Sequence, residues 1–138
     1  MVTVEIFEDL QCPDCARLQH MLDDQLGVAL GETVQFVRRD FPLVKHPAAR
    51  RLAEEAQFLR LTEGTEAEWA WRRRCLFAIG QVQAPDDGRE SAGVDADLLE
   101  AHSRGVAKTP TVFVGNHVLI EKFTADRSVS TTLRHKLG

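Results

Sequence analysis

Residues 12 to 15 read Cys-Pro-Asp-Cys and hold two of the chain's three cysteines. Two thiols at this spacing can do redox chemistry, supply half of a metal site, or simply stand at the start of a helix. Redox exchange makes a specific demand. One thiol must ionise near neutral pH, and the other must reach it to resolve a mixed disulfide while staying out of water. A helix start meets both needs. Pro13 has a fixed φ and no N–H, which suits the first helical position and makes Cys12 the N-cap. Unpaired N–H groups and the positive end of the helix then favour a thiolate on Cys12. Cys15 lies one turn further along the same face. A zinc site needs two more ligands. His20 is the nearest candidate, but it lies on the same helix, and the chain has no second CxxC and no HxxxH.

A second stretch belongs with the first. In KTPTVFV, residues 108 to 114, a proline directly precedes a strand. Inside the strand it would remove a ladder hydrogen bond, so it belongs at the entrance. A Thr109–Pro110 bond at such a place is a candidate for the cis form, with the backbone before it open to an incoming peptide.

The elements that must position these residues follow from pattern. Val2, Val4 and Ile6 alternate with Thr3, Glu5 and Phe7, giving a strand. The helix after Pro13 runs through Leu18, Met21, Leu22 and Gln25, with Gly27 as its stop. Residues 33 to 39 make a second strand, with Val34 and Phe36 on one face. Pro47 opens a helix that ends near Gly64, and the charged RLAEEAQFLR within it reads as a solvated face. Thr65 and Glu68 form a capping-box pattern for the next helix, which carries Trp69, Leu76 and Ile79. Cys75 on that helix reads as a small buried hydrophobe. Residues 83 to 93 are loop by composition, followed by a helix from Asp95 to Ser103. TVFV and HVLI flank Gly115-Asn116 as a hairpin, and Val129, Leu133 and Leu137 predict a last helix. A strand-helix-strand opening favours a parallel pair, and the closing hairpin adds an antiparallel edge.

Composition bounds the function. The chain has 138 residues, 43% of them apolar and 28% charged, with a net charge of -4. A single domain of this size buries enough surface to fold without staples. The acidic balance argues against nucleic acid and against an anionic membrane surface. No apolar run is long enough to span a bilayer. The start MVTVEIFEDL lacks the basic, apolar and small-residue pattern of a secretory leader, so the expected location is cytoplasmic.

FEDLQCPDC, then RDFPLVKHPAARRLAEEA, then RRCLFAIGQ, then GVAKTPTVFVGN stand in this order along nearly the whole chain. In that order they resemble the DsbA-like branch of the thioredoxin superfamily. The resemblance implies an α/β, thioredoxin-like fold: a mixed central sheet flanked by helices, as one domain over residues 1 to 138, with a helical insertion at about 41 to 103. It implies Cys12 as the attacking cysteine, Cys15 as the resolving one, Pro110 as a cis-proline facing them, and Thr109 as a backbone partner for substrate. The partners would be protein or peptide thiols and disulfides and a redox partner that the sequence does not identify. No cofactor is required, because the dithiol is itself the redox centre.

Three departures stand out. Ile6 occupies the place, six residues before the first cysteine, where the branch often has a glutamate. The insertion is short by at least one helix. Pro13 and Asp14 stand between the cysteines without a basic residue. With Glu8 and Asp9, Asp14 is expected to oppose a Cys12 thiolate and make the pair a weaker oxidant than a CPHC site. Two other classes remain as alternatives: a glutathione-dependent transferase or isomerase of the same fold, and a zinc-binding module.

Overall fold

The computed structural model describes residues 2–23, 34–86, 89, 91–115 and 117–120. Four strands form one sheet: β1 (Val2–Glu8), β2 (Val34–Asp40), β3 (Thr111–Val114) and β4 (His117–Ile120), in the order β2-β1-β3-β4. β1 pairs parallel with β2, so that Ile6 faces Arg38, and antiparallel with β3, so that Ile6 also faces Val112. β3 and β4 make the expected hairpin, turning at Gly115 with φ 60. Only glycine takes that left-handed conformation without strain.

β1 is buried on both faces because its side chains alternate and helices cover each side. Val4 and Ile6 pack with Val34, Val112 and with Leu18, Met21 and Leu22 from α1 (Pro13–Met21). Phe7 packs on the opposite face with Phe41, Ala101, Val106 and Phe113, its ring edge-on to Phe113 at 5.8 Å. A one-residue slip would exchange these two sets and put Glu8 among phenylalanines. The register therefore fixes where β1 ends, and with it where the dithiol turn begins.

Three further helices are α2 (Ala49–Glu63), α3 (Thr65–Phe77) and α4 (Ser91–Ser103). α2 begins two residues after Pro47, with Ala48 as its N-cap. Gly64, at φ 103, ends α2 and is also the N-cap of α3, so the two helices abut with no linker. That corner removes the expected capping box. Thr65 already lies within the helix, no side chain caps it, and Glu68 turns inward to Arg72.

α4 starts four residues before the expected Asp95. The Ser-Ala-Gly that reads as loop is helical, and its Gly93 packs against Gln57, where a Cβ would overlap the side-chain amide. RLAEEAQFLR is also corrected. Glu54, Glu55 and Gln57 are buried, with Glu54 paired to Arg50, Glu55 to Arg89, and Gln57 donating to Asp40 and Asp97. The predicted stop at Gly27 and the predicted last helix through Val129, Leu133 and Leu137 lie outside the described residues. Among the described residues, no helix is long and apolar enough to cross a membrane.

Candidate active site

Cys12 is the N-cap of α1, with φ -88 and ψ 121, and Pro13 follows in the first turn. The turn that delivers it from β1 is built on Asp9, whose side chain is buried. One carboxylate oxygen accepts from the Gln11 N–H at 2.7 Å. The other meets the Leu43 N–H at 2.7 Å and His46 Nδ1 at 2.9 Å. The Asp9 carbonyl accepts from the Cys12 N–H at 3.1 Å, and the Gln11 side chain accepts from the Ala48 N–H at 3.0 Å. Asp9 thus ties the Leu43–His46 loop to the base of the dithiol turn, a role the sequence analysis did not foresee. Its only sequence signal was an acidic residue between a strand end and a helix start.

The two cysteines sit in contrasting surroundings. Both are largely covered, Cys12 at 6% exposure and Cys15 at 2%. Cys12, however, forms part of the wall of a groove of about 690 Å³, and Cys15 does not. The Cys12 thiol faces the Thr109 carbonyl at 3.7 Å, and the Thr109–Pro110 bond is cis. The Cys12 pKa is lowered to about 6. The Cys15 thiol donating to it has the largest effect. Burial works against this, and the Thr109 hydroxyl and the backbone N–H groups of Cys15 and Asp14 add to the lowering. The Thr109 hydroxyl is buried with no hydrogen-bond partner, which leaves it free to turn toward a Cys12 thiolate. Cys15 is pushed well upward, first by burial, then by its bond to Cys12 and the charges of Cys12 and Glu8.

The expectation about three carboxylates changes accordingly. None of them is among the groups that dominate at Cys12. Asp14 pairs with Arg17. Asp9 is engaged by backbone N–H groups and His46. Glu8 lies buried between Arg38 at 2.9 Å and Arg72 at 3.2 Å, and its charge bears on Cys15 instead.

Beneath the site lies a buried charged cluster. Arg72 grips Asp40 with two hydrogen bonds, at 2.7 and 2.9 Å, and also holds Glu68 at 2.9 Å and Glu8. Cys75, one turn on, packs with Leu10, Cys12, Cys15 and Leu76, and burial pushes its thiol up to about 12. His20 stacks on Phe77 at 4.3 Å. Among the described residues, no group of three or more histidine, cysteine or acidic side chains is placed to hold a metal.

The chemical consequence is measurable. Alkylation of the reduced protein is expected to fall on Cys12 alone, with a rate that rises through a midpoint near pH 6, because the thiolate is the reactive form. Peptide mapping after brief labelling at neutral pH gives the site. Preferential labelling of Cys75 would contradict the assignment.

The comparisons with known proteins agree with this geometry. A family model described as "Thioredoxin" matches residues 1–132. No curated protein matches the chain. Among solved structures, DsbA2 of Pseudomonas aeruginosa superposes with a TM-score of 0.74 at 21% identity, covering 99% of this chain and 88% of that one. The thiol-disulfide exchange protein α-DsbA2 of Wolbachia pipientis gives 0.76 at 17% identity, over 99% and 82%. A periplasmic thioredoxin-like protein of Salmonella enterica serovar Typhimurium gives 0.72 at 18% identity, over 99% and 84%. The cytoplasmic expectation is corrected by these matches. One of them is periplasmic by its own description, and DsbA-like neighbours point away from the cytoplasm. The family match places the chain, and the shared fold agrees with it: it belongs to the thioredoxin family.

Proposed function

We propose that this chain is a protein-disulfide oxidoreductase of the DsbA type, exchanging disulfides with protein or peptide substrates through Cys12 and Cys15. The observation that carries the reading is the opposed tuning of the two thiols. Cys12, at the groove, is lowered to about 6, and Cys15, behind it, is pushed upward. In the reductive direction the Cys12 thiolate attacks a substrate disulfide. A Cys12–substrate bond forms, the substrate S–S bond breaks, and one substrate sulfur leaves as a thiolate. Cys15, on losing its proton, attacks the Cys12 sulfur and releases the second substrate thiol. Two electrons pass from the protein dithiol to the substrate, and oxidation of a substrate dithiol is the same sequence reversed.

Thr109 lines the groove with Cys12, and with the cis Pro110 after it would meet the substrate backbone. Pro13 shapes the helix start, and Asp14 with Arg17 borders the groove. The reading treats residues 1 to 138 as one domain with its helical insertion at about 41 to 103. It needs no cofactor, only a redox partner that returns the dithiol to its starting state. The test is catalysis of insulin reduction by dithiothreitol, run beside oxidative refolding of a reduced, unfolded protein. The expected result is acceleration of at least one of them by the wild type and none by Cys12→Ser. A wild type inactive in both overturns the reading.

A further inference from the structure

The protein carries a net charge of -4, yet the groove beside Cys12 has the opposite sign. Its rim bears Arg17, Lys45 and Lys108, together with His46, against a single carboxylate, Asp14. Asp14 is already paired with Arg17. Lys45 and Lys108 are both exposed, on two separate segments of the lining, and neither has a carboxylate partner among the described residues. Asp9 lies buried behind His46 and is taken up by it and by two backbone N–H groups, so it adds no free carboxylate to the rim. Between the cations, Val44 holds an apolar side chain fully out in water, at 102% exposure.

We propose that the groove selects substrates whose reactive cysteine is flanked by acidic residues and an apolar side chain. The proposal rests on the oxidoreductase reading and deepens it by naming the substrate class. Carboxylates on either side of the bound cysteine meet Lys45 and Lys108, and the apolar residue covers Val44. A cleft lined by one sign of charge also gathers oppositely charged partners, with on-rates raised by about 10- to 1000-fold at low salt. The redox step is the one given above. Flanking carboxylates raise the pKa of the substrate thiol and make it a poorer leaving group, so a faster glutamate peptide reports binding and not intrinsic reactivity.

The test uses the full chain and two disulfide-bonded peptides of equal length, each with a leucine near the cysteine, one flanked by glutamates and the other by lysines. Dipyridyl disulfide serves as a small uncharged reference. Stopped-flow reduction by the dithiol form is expected to favour the glutamate peptide by about tenfold or more at low salt, within the range for steered association. The preference should shrink toward unity between about 0.01 M and about 1 M salt, as the screening length falls from about 30 Å to about 3 Å. Lys45→Glu/Lys108→Glu should reverse it. The salt series needs no variant, so the test stands even if that variant folds poorly. If the wild type reduces dipyridyl disulfide and both peptides equally well at low salt, the acidic preference is overturned and the oxidoreductase reading stands. If it reduces none of the three, the reading itself is lost. A preference that fades with rising protein concentration as dimers form by light scattering assigns the groove to a second copy and overturns the proposal.

Discussion

Replacing Cys15 with serine is expected to turn Cys12 into a trap. Substrates should accumulate as mixed disulfides on Cys12, visible as adducts on non-reducing gels and released by dithiothreitol. Multiple-turnover exchange should fall by about a thousandfold or more, as when one member of a cooperating catalytic set is lost. The reason is sequence of action. The first attack needs only the Cys12 thiolate, which Thr109 and the backbone N–H groups of Cys15 and Asp14 still favour. Resolution needs a second sulfur behind it, and only Cys15 lies one turn along the same helix. Cys75 cannot take over while its thiol is pushed up to about 12 and buried in α3. The serine hydroxyl is also a donor, so the Cys12 thiol should stay lowered and trapping should proceed at neutral pH. Cys12→Ser should trap little, because the remaining thiol is buried and raised. Equal trapping by both variants would reverse the roles.

The second large effect is on stability. Arg72→Met should destabilise the fold by about 3–5 kcal/mol, the usual cost of stranding buried charges by removing their partner. Arg72 is fully buried and serves three carboxylates from three elements: Glu8 on β1, Asp40 on β2 and Glu68 on α3. Arg38 still reaches Glu8, and Gln57 still reaches Asp40, so the loss is not that of three orphaned ions. With a urea slope of about 1–3 kcal/mol/M, the midpoint should drop by more than about 1 M. Arg72→Lys keeps the charge but not the planar fork, and should fall between the two. A change below about 1 kcal/mol in Arg72→Met would mean that the cluster is far better solvated than its burial implies.

Much of the site could be read from residue types and their spacing. Cys12 and Pro13 announce a helix start by local chemistry alone, and the parallel pair and closing hairpin follow from strand patterns and a Gly-Asn turn. What could not be read depends on what the fold packs around a polar group. Asp9 looks like one more charge near a thiol until the chain brings Leu43 and His46 to it. Glu54, Glu55 and Gln57 have the periodicity of a wet helix face, and only packing against β2 and α4 turns them inward. Glu68 satisfies a capping pattern, but a buried arginine one turn away is the stronger attraction. In each case the sequence shows the polar group and not its surroundings, and the surroundings decide between solvent and interior.

The way Asp9 fastens the Leu43–His46 loop also bears on the thermodynamics of a catalytic cycle. On one side of the groove the loop is bonded to the base of the dithiol turn. On the other, the Thr111 hydroxyl donates to the Lys108 carbonyl at 2.6 Å and steadies the Lys108–Thr109 wall. Both jaws are therefore set when the protein folds, and in the proposed reaction a peptide would meet a cleft that needs little ordering. Preformed clefts save the entropy that a mobile loop would lose on capture. They also offer no hinge to fling the product out. Release then depends on what changes at the sulfur itself. Once Cys12 is locked to Cys15, the covalent tether is gone, and only the shallow contacts of the groove hold the departing chain.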